Sequence, residues 1–512
     1  MSALARLLRA KAGTAVPRAD LPDLAWTELE EAVLDGVALG LRVVAFFGAP
    51  EGNALRLHLV LADDASSEVA LGTTALLDEA FPSLTPRCPQ LHLFEREIAE
   101  QYGVRPVGHP RPGPVRFAPP FSVGNAALRD GARAAAAGRP LPGVLDFYRV
   151  EGEEVHEVGV GPVHAGVIEP GHFRFQCHGE EVFHLEIALG YQHRGVERAL
   201  LGGPDRRTMA YLETAAGDTS IGHVTAGCEL LEALAGAPAT ARGAALRGIG
   251  LELERLANHV GGLGALAGDV GFLPTASYCG RLRGDFLNLT AEICGSRFGR
   301  GLVRPGGAGF DVDEAMAAEL LARLERAYED SRAAIELLWG APSVMERFEG
   351  TGIVPRGVAV ELGLVGPAAR ASGLDRDARR DHPSGIYRFH HVPVAIAETG
   401  DVFARAYVRW LEIQRSVTFV RDQLAAMPRG PVRRQVGALA PSRLAVSLVE
   451  GWRGEICHVA ITGGDGRFER YKVVDPSFHD WSALAWALRG GQISDFPLCN
   501  KSFDLSYCGH DL

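Results

Sequence analysis

The sequence predicts an α+β chain. A small N-terminal α/β domain, residues 1–116, is followed by a linker at 117–150 and a mainly α-helical domain at 151–512 with small β-sheet elements. Three observations point to this. At 512 residues the chain is long enough for two or more cores. Its first hundred residues mix strand-like alternation with short helical periods. From about 195 to 430 the apolar residues recur at helical spacing.

Leu24–Leu34 is amphipathic and helical. Arg42-Val-Val-Ala-Phe-Phe-Gly and Leu55-Arg-Leu-His-Leu-Val-Leu-Ala have strand character, and Asp63-Asp-Ala-Ser-Ser is a turn. A charged helix from Leu93 stops at Gly103, a natural C′ residue. The Pro-, Ala- and Gly-rich linker holds one short helical stretch, Asn125–Ala137. Val155–Val160 and His172–Ile187 form a small sheet with a turn at Gly179. Leu246, Leu253, Leu256, Val260 and Leu263 make one apolar stripe, and the glycines among them allow neighbouring backbones to approach closely. Ala315–Leu338 and Asp401–Arg421 are further long helices. Residues 441–475 return to strands, and the remainder reads as an extended tail.

A formal charge of −11 excludes a general nucleic-acid binder, which needs a basic face. None of the eight cysteines forms a C-x-x-C pair, so zinc and iron–sulfur spacings are lacking. Scattered thiols with no signal peptide predict reduced, buried cysteines. The longest apolar runs, such as Val43–Ala49, fall far below the roughly 20 residues that cross a bilayer. No strand is followed by a glycine-rich dinucleotide fingerprint, so an NADH-linked activity would belong to an assembly.

A dozen ordered motifs carry a resemblance. Gly161-Pro162-Val-His164, Glu169-Pro170-Gly171-His172-Phe173 and Gly190-Tyr191-Gln-His193-Arg194-Gly195-Val-Glu197-Arg198 are among them. Others are Glu252-Leu-Glu254-Arg255-Leu-Ala-Asn258-His259, Gly363-Leu-Val-Gly366-Pro367, Gly400-Asp401 and Arg453-Gly454-Glu455. From about 155 onward the chain resembles the large subunit of energy-converting nickel–iron hydrogenases and its relative, the quinone-site large subunit of complex I. Glu95-Arg96-Glu97, Tyr102-Gly103-Val and Gly108-His109-Pro110 resemble the small complex I subunit that packs on it. The fusion is similar to formate-hydrogenlyase-type large subunits.

The resemblance implies a metal site that has lost its ligands. Glu213-Thr-Ala-Ala216-Gly-Asp-Thr219-Ser-Ile-Gly-His223 keeps the frame of the first ligand motif, with Ala216 and Thr219 at its two cysteines. Asp504-Leu-Ser506-Tyr-Cys508-Gly509 resembles the second, with Ser506 and Gly509 at its cysteines. A soft transition metal there needs thiolates. The chain ends directly after this motif, which fits a protein that is never metallated. Ala216, Thr219 and His223 are expected on one helix face, with Asp218 as N-cap. By resemblance, Glu169 and His223 are candidate proton carriers, and His164, His172 and Asp504 candidate residues of a quinone or acceptor pocket. The tyrosine that partners quinone in complex I would fall near Gly217, and none is there.

The implied setting is the cytoplasmic face of a cell membrane, held peripherally. The implied partners are a small iron–sulfur subunit with a [4Fe–4S] cluster and membrane subunits of antiporter and proton-channel type. The rival reading is a non-catalytic coupling subunit, and an active hydrogenase would need ligands that the motifs lack. Arg255, Glu252, Glu254 and Arg405 read as ordinary helix charges, either solvated or buried in pairs.

Overall fold

The computed structural model describes residues 2–52, 54–76, 78–121, 146–164 and 168–512. The helical stretch expected at Asn125–Ala137 lies outside them. Near the N-terminus, β1 (Leu8–Ala10), β3 (Arg42–Glu51), β4 (Ala54–Asp63) and β5 (Glu68–Leu76) form an antiparallel sheet in the order β1-β5-β4-β3. Helix α1 (Trp26–Ala38) packs on it, and α2 (His92–Tyr102) ends at Gly103 with φ 73°. The apolar run in β3 has a simple cause: it is buried on both faces. One face meets α1 and the other meets a second sheet, so Phe46 and Leu59 share one core with Val446 and Val459.

That second sheet is made of β9 (Arg443–Glu450), β10 (Glu455–Thr462) and β11 (Phe468–Val474). Its edge strand comes from the other end of the chain. β2 (Ala15–Pro17) pairs with β9 through Val16↔Leu444. A third sheet, β6 (Val155–Val160), β7 (His172–His178) and β8 (Glu181–Ala188), carries the expected turn at Gly179.

The helical body contains α3 (Ser220–Ala235), α4 (Ala241–Asp269), α5 (Leu273–Cys294), α6 (Glu314–Trp339) and α7 (Val402–Ala425). Close approach explains the glycines of α4. A Cβ at Gly248 would lie 2.6 Å from Ile386, and one at Gly264 would lie 2.6 Å from Cys279 on α5. The charges on α4 are buried, not solvated. Glu252 binds Arg255, Arg379 and Ser416, and Glu412 binds Arg370 and His259. All eight cysteines are free and buried.

The extended tail expected after 475 is not found. Residues there form α8 (Pro476–Ala487), α9 (Phe496–Phe503) and α10 (Tyr507–Asp511). These helices are too short for a visible period, and caps define them. Asp475 accepts from Ser477 N–H with Pro476 in the first turn, and Ser506 accepts from Gly509 N–H.

A buried ion cluster joins β11 to α2 and to the segments at 116 and 197. Lys472 Nζ reaches Glu97 (2.5 Å) and Glu197 (3.1 Å), Arg470 reaches Glu197 (2.9 Å), and Arg116 pairs with Glu97. Burial works against the Glu197 carboxylate, but Lys472, Arg470 and Arg116 outweigh it and hold its pKa far below the usual range. Replacing one partner strands the others in low dielectric. Glu197→Gln should therefore lower stability by about 3–5 kcal/mol, read from denaturant unfolding. It should also weaken the loss of stability in acid, because a carboxylate with a depressed folded pKa stabilises fully above its unfolded pKa and loses that contribution as pH falls toward the folded one. An unchanged unfolding midpoint would refute the role given to the cluster.

Candidate functional site

Two segments far apart in sequence meet at the site: residues 213–223 and the terminal turn and helix at 504–512. Two arginines hold them together. Arg194 donates to Ala215 O (2.7 Å) and Cys508 O (2.8 Å). Arg453 donates to both oxygens of Asp218 (2.5 and 2.7 Å), to the Thr219 hydroxyl (3.2 Å) and to Asp504 O. Its guanidinium also lies 3.9 Å from the Trp452 ring centroid. The motif at 190–195 grips the terminal helix further. Asp511 accepts from Gly190 N–H (2.8 Å) and Gln192 N–H (2.9 Å).

The helix of the first segment starts later than the sequence suggests. α3 begins at Ser220, so Thr219 is its N-cap residue and Ala216 lies outside it. Asp218 does not cap α3, because Arg453 takes its carboxylate. The first free N–H groups go instead to Glu254 of α4, which accepts from Ile221 (2.8 Å) and Gly222 (3.1 Å). Burial pushes the Glu254 carboxyl up to about 8.

Each of the four positions that the resemblance aligns with ligand cysteines has a structural task. Ala216 is fully buried, and the Thr219 hydroxyl is bonded to Arg453. Ser506 caps α10 with its hydroxyl (2.9 Å). A Cβ on Gly509 would lie 2.6–2.9 Å from the carboxyl atoms of Asp475, so that carboxylate fills the space a side chain would take. A methyl, two engaged hydroxyls and a hydrogen do not fit a thiolate-bound metal.

Behind Gly509 runs a buried hydrogen-bonded row. Asp475 Oδ2 lies 3.0 Å from His223 Nε2, His223 Nδ1 3.0 Å from His458 Nε2, and His458 Nδ1 2.9 Å from the Tyr471 hydroxyl. The carboxylate only accepts, so with neutral rings every bond points from Tyr471 toward Asp475. Burial works against charge on Asp475, but the bond from His223 and the nearby Arg453 hold its pKa below the usual range. Burial and His223 push His458 well below an ordinary histidine.

The described arms of the loop, 161–164 and 168–173, form the rim. Glu169 accepts from Tyr507 N–H (3.2 Å) and Cys508 N–H (3.3 Å), docking the loop on α10. His164 bonds Gly171 O (2.9 Å) and His172 faces Gly161 O (3.4 Å), so both imidazoles tie the arms of the loop together. Glu169 and His223 do not touch. Glu169 contacts the backbone at 507 and 508, whereas His223 reaches Asp475, which backs Gly509. Asp504 sits at the end of α9 with φ 57°, bound to Lys501 (2.8 Å). Burial works against its charge, but Lys501, Arg453 and Arg409 hold its pKa low. Gly217 is exposed and Asp218 partly so, and on the loop that carries Glu169, Val163 and Ile168 stand 75% and 54% exposed. The rim thus opens to the surface.

Sequence reasoning missed Asp475 and His458, and placed Cys508 off the motif. The Cys508 thiol receives Gly217 N–H (3.4 Å) and faces Glu169; burial, then that carboxylate, push its pKa up to about 11. Asp475 could have been read from Asp-Pro at a strand end. A core histidine such as His458 carries no sequence signal.

Residues 35–129 match the family of the respiratory-chain NADH dehydrogenase 30 Kd subunit, and residues 269–443 that of its 49 Kd subunit. The carbon monoxide-induced hydrogenase of Rhodospirillum rubrum is 31% identical over 68% of this chain and 97% of that protein. The chain belongs to the family of hydrogenase large subunits and complex I 49 kDa subunits. Formate hydrogenlyase subunit 5 of Escherichia coli is 29% identical over 83% of this chain and 76% of its own length. NADH-quinone oxidoreductase subunit 4 of Thermus thermophilus is 30% identical over 69% of this chain and 92% of its own. In fold, the chain is similar to a chain of the membrane-bound sulfane sulfur reductase, an archaeal respiratory membrane complex. That match has a TM-score of 0.66 at 21% identity, covering 71% of this chain and all of the other. The family motifs now have physical meanings. In Glu95-Arg96-Glu97, Glu95 accepts from Leu84 N–H (2.6 Å), Arg96 from α2 holds two loop carbonyls, and Glu97 reaches Lys472.

Two expectations follow. Gly509→Cys should destabilise the chain by about 1–3 kcal/mol through overpacking. With Asp475→Ala added, the double variant should lose less than the sum of the single losses, by about 1 kcal/mol or more; strict additivity would disprove the filled-volume reading. Glu254 has a raised folded pKa, so the folded state binds the extra proton between the ordinary carboxyl value of 4.5 and about 8. Stability should fall as pH rises through that window, and Glu254→Gln should flatten the fall. A wild-type pH slope retained in the variant would count against it.

Proposed function

We propose that this chain is the large subunit of a membrane-associated, complex I-like oxidoreductase that works without nickel and iron at the former ligand positions. Electrons come from a [4Fe–4S] cluster of a small partner subunit and pass to a quinone or similar acceptor at the rim around Glu169, Gly217 and Cys508. Membrane subunits of antiporter and proton-channel type couple the transfer to ion movement. No helix among the described residues is long and apolar enough to cross a membrane, so the reading places the chain on the membrane's cytoplasmic face, held by its partners.

One observation carries the proposal: the space at Gly509 is taken by the Asp475 carboxylate, while the rim stays open. Glu169 is the carboxylate at that opening. It is oriented by two backbone N–H groups and suited to hand a proton to a reduced acceptor. His223 is sealed behind α10, so its part is to hold Asp475. His164 and His172 fix the path of the rim loop. The filled volume also favours a second reading, in which the subunit only couples its neighbours mechanically.

Quinone reduction by membranes containing the intact complex separates the two. Glu169→Gln should cut turnover by about 10²-fold while leaving assembly intact. Wild-type turnover in the variant would sink the catalytic reading. Stoichiometric nickel in the purified complex would sink both.

A further inference from the structure

A cleft of about 470 Å³ lies away from the rim, between the two fused halves. One wall is α2 with the loop at 110–117. The other is β8 and α8, and His510 of the terminal helix lies at its floor. Its size falls within the range of small-molecule sites. Its charges do not balance. Arg96, Arg111 and Arg489 line it against one carboxylate, Glu186. Arg111 takes one oxygen of Glu186 (2.5 Å) and the Tyr148 N–H takes the other (2.9 Å). Among the described residues no carboxylate lies in ion-pair contact with Arg96 or Arg489. Arg96 is held rigid by Gly113 O and Pro114 O, each at 2.9 Å. Burial, helped by the nearby Arg111, lowers its pKa to about 10 although Glu100 and Glu186 act to raise it. Trp481 is 3% exposed on the wall, and its indole N–H has no acceptor among the described residues. Aromatic and aliphatic faces from Phe117, Tyr148, Leu185 and Ile187 complete the lining.

A partly buried, donor-rich cleft with surplus guanidinium and flat apolar walls asks for an acceptor-rich ligand. Fixed arginine forks suit planar or tetrahedral oxyanions. We infer that this cleft binds a small soluble molecule carrying a phosphate or carboxylate on a planar or aliphatic body of mononucleotide size. The site is regulatory. His510 is three residues from Tyr507, and Arg116 holds His510 O (2.8 Å), so a bound ligand would bear on the helix that docks Glu169. The inference does not rest on the proposed electron acceptor.

Isothermal titration of the full purified chain at low salt tests it. AMP probes a phosphate on a planar body, octanoate a carboxylate on an aliphatic one, and inorganic phosphate the bare anion. We expect saturable one-site binding of AMP or octanoate, with inorganic phosphate at least about tenfold weaker. Arg489 is exposed, so Arg489→Gln should fold normally, keep its unfolding temperature and weaken binding about tenfold. Adding Arg96→Gln should weaken binding further. The inference is overturned if neither organic anion binds saturably, if inorganic phosphate binds as well as they do, or if Arg489→Gln binds like the wild type.

Discussion

The site exists because two arginines bridge segments from opposite ends of the large half. Arg194 and Arg453 reach backbone oxygens and carboxylates across separations of 314 and 235 residues. A guanidinium suits this task. Its fork meets a carboxylate and carbonyls at once, and it stays charged when buried. Hydrogen bonds close the gap between the two segments, and Ala216, Thr219, Ser506 and Gly509 are part of the joint. The Thr219 hydroxyl accepts from Arg453, Ser506 caps α10, and Gly509 makes room for Asp475.

The joint needs a rigid frame, and the frame is ionic at its centre. Glu252, Arg255, Arg370, Arg379, Glu412 and Glu450 are all buried where α4, α7 and β9 meet. Such charges are costly to bury, and an apolar core would hold the helices as well. What the network adds is register. Each carboxylate has a set partner on another element, so α4 cannot slide by a turn without stranding a charge. Because α4 also carries Glu254, which holds the start of α3, the register of α4 fixes where the first former ligand segment stands.

Much of the fold was legible. The Gly103 stop, the Gly179 turn and the glycine-lined helix α4 follow from backbone freedom and period alone. The short terminal helices were not, because five to twelve residues carry too little periodicity and only their caps mark them. The start of α3 was misplaced for a related reason. Asp218 is a good capping residue by type, but Arg453 outcompetes the backbone for its carboxylate, and that contact is long-range. The burial of Glu252 and Arg255 was equally hidden, since a charged residue on a helix looks the same whether solvated or paired. At the site, the resemblance named Glu169, His223 and Asp504 as candidates, yet could not say that Glu169 meets the backbone at 507 and 508 while His223 bonds Asp475.

That separation bears on how the site could work. A proton entering at the rim meets Glu169, which the Tyr507 and Cys508 N–H groups hold in place. The row from Asp475 to Tyr471 is sealed from it by α10 and has no exposed end among these four residues, each at most 1% exposed. Its natural role is to hold the Asp475 carboxylate in place against Gly509, because His223 has a fixed donor only while His458 occupies its other nitrogen. The imidazole pair thus acts as a brace. It keeps the Asp475 carboxylate against Gly509, in the space that a side chain there would take.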